Sequence, residues 1–216
     1  MFMNTTTHAQ QPSSLRLFST TTTFRHNSSN NNNNNNTPPA VETPTPAPKL
    51  THVSDAGAAH MVSIGAKIPT QRTATAKCAV RFSNPIVLTL VRENQIKKGD
   101  VLGVARIAGI MAAKRAADII PLCHPIAITY VGVEFGVEDG SEGGQGGGRI
   151  DVTATVSCDG KTGVEMEALT AAGAAALTVY DMCKSVDKGM VIEGLRVVLK
   201  EGGKSGRWVE GEKASE

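Results

Sequence analysis

Gly160 to Val186 reads GKTGVEMEALTAAGAAALTVYDMCKSV. Apolar Val164, Leu169, Ala172, Ala176, Val179 and Met182 recur there at spacings of three to five, the period of an amphipathic helix rather than of a strand. The pattern predicts one long central helix, interrupted only by groups that carry protons or bind anions: Lys161, Glu165, Glu167, Asp181 and Lys184. Thr162, followed three positions later by Glu165, reads as a capping box at its start. The run of Ala with Gly173 keeps the helix surface low, so that a sheet or a second copy of the helix can approach closely. Gly173 costs roughly 1 kcal/mol against Ala, which close packing would offset.

Asp181 and Lys184 stand one turn apart and can meet on one face. As a solvated pair they contribute only about 0.2–0.5 kcal/mol. Tyr180, Met182, Cys183 and Val186 surround them, which predicts a pair held partly away from water, with displaced pKa values and the capacity to exchange protons with a substrate. Glu167 and Asp181 lie fourteen positions apart, about 21 Å along a helix. One compact site in one subunit cannot easily hold both, so two antiparallel copies of the helix are the simplest way to bring them together at a subunit interface.

Upstream, TATAKCAVRF from Thr73 to Phe82 alternates apolar and polar residues and predicts a strand. Asn84 caps a short helix from Pro85 to Glu93, and Asp100 caps another from Val101 to Ala117. In PLCHP, Pro121 and Pro125 hold His124 out of helical geometry on a stiff loop. Ile126–Val137 and Arg149–Cys158 form a hairpin around the glycine-rich EDGSEGGQGGG, and Met190–Lys200 is a last strand. Strands on one side and helices on the other make an α+β fold on an antiparallel sheet.

The first 48 residues differ in kind. Met1 to Val41 lacks Asp and Glu, carries Arg16 and Arg25, and is rich in Ser and Thr, the composition of a mitochondrial transit peptide. An asparagine tract (Asn30–Asn36) and TPPAVETPTPAP then read as linker. The division is therefore 1–48 as import segment, 49–208 as the folded domain and 209–216 as a charged tail, with the mitochondrial matrix as location and the cytoplasm as the alternative. A formal charge of +2 does not point to nucleic acid, and no stretch reaches the ~20 apolar residues of a membrane span. Four dispersed cysteines, Cys78, Cys123, Cys158 and Cys183, form no C-x-x-C pair and fit a reducing compartment.

GGQGGGRI lies between strands and is a loop, not a dinucleotide fingerprint. Gly203-Lys204-Ser205 resembles the end of a P-loop, but Val198 stands where its first glycine belongs. Gly160-Lys161-Thr162-Gly163 is better placed, either as a phosphate cradle or as simple capping. Lys67, Arg72, Lys97, Lys98, Lys200 and Lys204 read singly as solvated residues, although a polyanion would want several together.

KGDVLGVARIAGIMAAKRAADIIPLCHPI, GKTGVEMEALTAAGAAALTVYDMCKSV and GGKSG closely resemble the cyclic pyranopterin monophosphate synthase family of molybdenum cofactor biosynthesis, from about Leu50 to Trp208. The resemblance implies a ferredoxin-like subunit, a homohexamer built as a trimer of dimers, and active sites at subunit interfaces. It also implies conversion of a cyclised GTP intermediate to the cyclic pterin with release of pyrophosphate. By motif position, Asp181 is the catalytic residue with Lys184 beside it, and Leu122, Cys123, His124, Met166 and Glu167 match substrate-binding positions. Glu165, Lys200 and Lys98 match further pocket residues, with Lys98 expected from a neighbouring subunit. No redox step is implied, so neither flavin nor nicotinamide is expected; a divalent ion can accompany the phosphates, but no metal-ligand cluster is evident. Ser63, Gly173-Ala174 and the long loop from Glu138 to Gly148 depart from the family pattern without touching a pocket position. Two other classes compete: a non-catalytic oligomeric pterin- or nucleotide-binding scaffold of the same pathway, and a GTP-binding regulator, which the missing P-loop disfavours.

Overall fold

Two alternating runs form the centre of the sheet. In the computed structural model, Thr70–Arg81 (β1) buries Ala74, Ala76, Cys78 and Val80, and Arg149–Gly160 (β3) buries Ile150, Val152, Ala154, Val156 and Cys158. Every second residue faces the core, as a pleated strand with one covered face requires. The two strands pair antiparallel in unbroken register from Thr70–Gly160 to Arg81–Arg149. On the open face, hydroxyls meet across the pair: Thr73 with Ser157 at 2.9 Å and Thr75 with Thr155 at 3.0 Å.

The structure describes residues 53–54, 57–140 and 146–212. The proposed import segment and the centre of the glycine-rich loop lie outside the described residues.

Ile128–Glu138 (β2) pairs with β3 as the expected hairpin, and Val191–Glu201 (β4) pairs with β1 through two register shifts. Trp208–Val209 (β5) extends the edge beside Leu199 and Lys200. The order is β2-β3-β1-β4-β5. β1 and β2 both run antiparallel to the β3 that separates them, and β3 and β4 both run antiparallel to β1. Each parallel pair therefore has a strand between its members, the split β-α-β arrangement of a ferredoxin-like fold.

The crossovers supply the helices: Ile86–Arg92 (α1), Val101–Ala113 (α2) and the single turn Ala116–Ile119 (α3) after β1, and Glu165–Cys183 (α4) after β3. Asn84 accepts from the Ile86 N–H at 3.2 Å, and Asp100 caps α2 by accepting from the Gly103 N–H at 2.8 Å. α4 packs over β1 and β3 and α2 over β2, side by side on the covered face of the sheet, with Ala168, Ala171, Ala172, Ala175 and Ala176 buried. The tight crossing is at Gly109 of α2, where a β-carbon would stand 2.9 Å from the Ala171 carbonyl and 3.4 Å from the Ala175 methyl. The low surface of α4 thus receives the sheet and α2 of its own chain.

Three expectations change. The helix from Val101 does not reach Ala117: Arg115 leaves helical geometry and its N–H bonds to Ala112, which keeps both Ala113 and Ala116 in the core. The capping box does not form, because Val164 is the cap residue of α4 and makes no side-chain cap bond. Glu165 instead folds over Gly163, where any β-carbon would collide with its carboxylate. Gly173 is not crowded, since a β-carbon there would meet only Leu195 at an ordinary 3.6 Å.

Candidate active site

The sequence-predicted residues gather in two clusters, one at each end of α4. At the amino-terminal end the PLCHP loop turns sharply, with the Cys123 N–H donating to the Ile120 carbonyl at 3.0 Å. Leu122, Cys123 and His124 from this loop, Glu165 and Met166 from α4, and Val62 and Ile64 from the segment before β1 line a cavity of about 640 Å³. Ligand pockets of small molecules fall in this size range.

Glu167 lies beside this cavity and is only 3 % exposed. Its Oε2 has no hydrogen-bond partner. Burial pushes its carboxyl up, and the neighbouring Glu165 adds to the effect. Burial also raises the Cys123 thiol, with further contributions from Glu167 and Glu165. Cys123 is therefore held as a thiol, a wall of the pocket rather than a nucleophile.

A second cavity of about 700 Å³, lined by Lys67, Arg72, Lys204 and Ser205, adjoins the first, and Lys67 lines both. Lys200 reaches between them: its Nζ is 2.5 Å from Ser205 Oγ and 3.8 Å from the Glu165 carboxylate. Strand register makes this concentration of cations. β1 pairs Thr73 with Glu201 and Ala74 with Lys200, so the GGKSG turn lies against the start of β1. Gly203, at φ 72°, leaves room for the Arg72 guanidinium, which any β-carbon there would strike. Lys67, Arg72 and Lys204 read as ordinary surface residues in the sequence; the signal that finds them is GGKSG directly after a strand that pairs with theirs. Lys161 has a different partner, the Gly65 carbonyl at 2.8 Å. Glu165 and Glu167 occupy the first turn of α4, so the GKTG turn makes a poor phosphate cradle.

At the other end of α4, Asp181 Oδ1 is 2.7 Å from Lys184 Nζ, and Asp181 Oδ2 is 2.5 Å from Lys98 Nζ, which also donates to the Asp181 carbonyl at 2.9 Å. Lys98 thus meets Asp181 of its own chain, at the end of α4 away from the cavities. The expected shelter from water is missing in one chain, where the side chains of Asp181 and Lys184 are 54 % and 55 % exposed. Lys184 first, and Lys98 second, pull the Asp181 carboxyl down to about 2, while Asp181 raises the Lys184 ammonium. Both groups are thereby fixed as ions. The sixteen positions from Glu165 to Asp181 put about 24 Å between the two clusters.

Charged clefts elsewhere are self-paired: Arg149 binds Glu138 at 2.8 Å and Asp151 at 3.1 Å, and Arg81 binds Glu193 at 3.3 Å. Among the described residues no set of three His, Cys, Asp or Glu side chains could hold a metal, and no helix is long and apolar enough to cross a membrane.

A sequence model of the MoaC family matches residues 61–203, which include both clusters up to the GGKSG turn. The chain belongs to the MoaC family. Similar proteins carry the name cyclic pyranopterin monophosphate synthase. One from Jannaschia sp. strain CCS1 is 56 % identical over 160 residues, covering 74 % of this chain and 94 % of the relative. One from Cereibacter sphaeroides strain ATCC 17029 is 55 % identical over 159 residues, covering 74 % and 96 %, and one from Novosphingobium aromaticivorans is 52 % identical over the same shares. In this MoaC-family chain the motif residues Leu122, Cys123, His124, Glu165, Met166, Glu167 and Lys200 come together, whereas Asp181, Lys184 and Lys98 form a separate group.

Proposed function

We propose that this chain converts the cyclised GTP intermediate, (8S)-3',8-cyclo-7,8-dihydroguanosine 5'-triphosphate, to cyclic pyranopterin monophosphate with release of pyrophosphate, an early step of molybdenum cofactor biosynthesis. The observation that carries this reading is the joined pair of cavities, one walled by apolar side chains beside the unpartnered carboxyl of Glu167, the other lined with cations. A ring bearing N–H and carbonyl groups suits the first, and a triphosphate suits the second. Lys67, Arg72, Lys200 and Lys204 would hold the phosphates and stabilise charge on the departing pyrophosphate. Leu122, Cys123, His124, Met166 and Glu165 would orient the ring. Glu167, whose carboxyl burial raises, is placed to exchange a proton as the ring opens and recloses.

Asp181, Lys184 and Lys98 enter as the catalytic group supplied by a second copy. Support comes from their separation from the cavities and from a stripe on α2, where Val104, Ile107 and Met111 are 46 %, 64 % and 42 % exposed. α2 starts three residues after Lys98, so a copy seated on this stripe would lie close to the ionic cluster. Loss of water there would lower the Lys184 ammonium and raise the Asp181 carboxyl, the direction proton exchange needs. Three such pairs would make the homohexamer that the family resemblance implies.

The direct assay supplies the purified protein with the cyclised intermediate and follows pyrophosphate and pterin. Wild type is expected to release both, whereas Asp181→Ala and Lys184→Ala are expected to lose at least about 10²-fold in kcat. Wild-type turnover by both variants would remove them from the site, and binding without pyrophosphate release would make the protein a scaffold. The acid-free start of the chain supports delivery to the mitochondrial matrix, and a Met1–Pro48 reporter fusion that stays in the cytosol would overturn that assignment.

A further inference from the structure

Asp187 lies in the turn between α4 and β4 and is buried, with 3 % of its surface exposed. Its carboxylate accepts four hydrogen bonds. Oδ2 takes the Ser83 N–H at 2.7 Å and the Asn84 N–H at 3.0 Å; Oδ1 takes the Ser83 hydroxyl at 2.5 Å and the Gly189 N–H at 2.8 Å. Asn84 returns the tie by donating its side-chain amide to the Val186 carbonyl at 3.3 Å. Gly189 is part of the fit, since a β-carbon there would stand 2.5 Å from the Ser83 hydroxyl. Burial alone would raise the Asp187 carboxyl, but these donors outweigh it and hold the group ionised, below the ordinary range.

Ser83 and Asn84 lead directly into α1. That helix is fastened to the core by Val87, Leu88 and Val91, and the loop after it by Ile96, so α1 and its loop are both anchored. Six residues past the end of α1, Lys98 meets Asp181, and Asp181 is six residues before Asp187. The same two segments are thus tied at both ends of α1.

We infer that Asp187 is a positioning residue: its carboxylate clamps the start of α1 to the turn after α4 and so sets Lys98 against Asp181 and beside Lys184. This rests on the reading that Asp181, Lys184 and Lys98 carry the chemistry. Asp187 touches none of the cavity residues, so its effect belongs in turnover rather than in substrate binding.

The test compares full-length wild type, Asp187→Asn, Lys98→Met and the double variant in the pyrophosphate assay, with folding checked by circular dichroism. Asp187→Asn is expected to lower kcat about 10- to 100-fold, the cost of misplacing a catalytic group by about an ångström, with KM changed less than about 3-fold. In the Lys98→Met background the same change should lower kcat less than about 2-fold further, because a residue acting through another is not additive with it. Wild-type kcat in Asp187→Asn, full additivity in the double variant, or a KM that rises with the loss of kcat would each overturn the inference. Should Asp187→Asn fail to fold, Ser83→Ala removes one of the four bonds and is held to the same pattern with a smaller loss. Asp181→Ala and Lys184→Ala run alongside. If they keep wild-type turnover, the underlying reading fails; if they lose it while Asp187→Asn does not, only the positioning role fails.

Discussion

Glu167 Oε2 is buried without a hydrogen-bond partner, and burial raises the carboxyl. The native state therefore holds this proton at pH values where the unfolded chain, near the ordinary 4.5, has released it. Stability then falls as pH rises from that ordinary value through the raised one, and the penalty stays constant above it. Glu167→Gln is expected to flatten this slope, to raise stability at neutral pH by about 1 kcal/mol by removing a carboxyl whose ionisation burial disfavours, and to reduce kcat. Urea unfolding at acidic and neutral pH measures the first two effects. Asp181 has the opposite sign. Held at about 2 by Lys184 and Lys98, it contributes stability above the ordinary carboxylate value that is lost as pH falls through about 2. In Lys184→Met the Asp181 carboxyl should titrate higher, which carbon NMR of the side chain reads directly. A value unmoved by the substitution would show that Lys98 alone sets it. Neither direction was legible in the sequence, where the apolar neighbours of Asp181 suggested shelter from water. The neighbours do turn inward, with Met182 and Cys183 buried, but Asp181 itself turns outward.

Among the elements, the central helix and the four long strands stand close to where periodicity places them, because alternation and the 3.6-residue period report directly which side of a segment is buried. Ends were less legible. The Ala-rich stretch after Asp100 has the same helical propensity before and after Lys114, so nothing local announces the break at Arg115; keeping Ala113 and Ala116 in one core imposes it. The two helical glycines show the same limit. Gly173 seemed the position in need of close packing, yet Gly109 is the one pressed against Ala171 and Ala175. Gly109→Ala is expected to destabilise by about 1–3 kcal/mol through overpacking, even though alanine gains roughly 1 kcal/mol in helical propensity. A lower urea midpoint with an unchanged slope is the expected observation; a more stable variant would mean that α2 and α4 can separate at little cost.

At the scale of the whole molecule, the motif residues fall into two clusters at the ends of a 19-residue helix. If two chains complete one site, His124→Ala and Asp181→Ala are each inactive alone but complement each other. Co-refolding equal amounts is expected to restore about a quarter of wild-type activity, the share that random pairing across a two-fold interface predicts. No recovery, with the variants shown to co-assemble, would place all the chemistry within one chain. Periodicity, cap residues and long motifs determined the α+β class, the central helix, the hairpin and the family, since those signals are written in residues near one another along the chain. The tertiary structure alone decided that Lys67, Arg72 and Lys204 share a groove with Lys200 at its edge, that Lys98 lies on Asp181 of its own chain, and that Glu167 Oε2 has no partner. Those facts depend on strand order and on register between segments as far apart as Thr73 and Glu201, which packing of the whole core selects and no local pattern records.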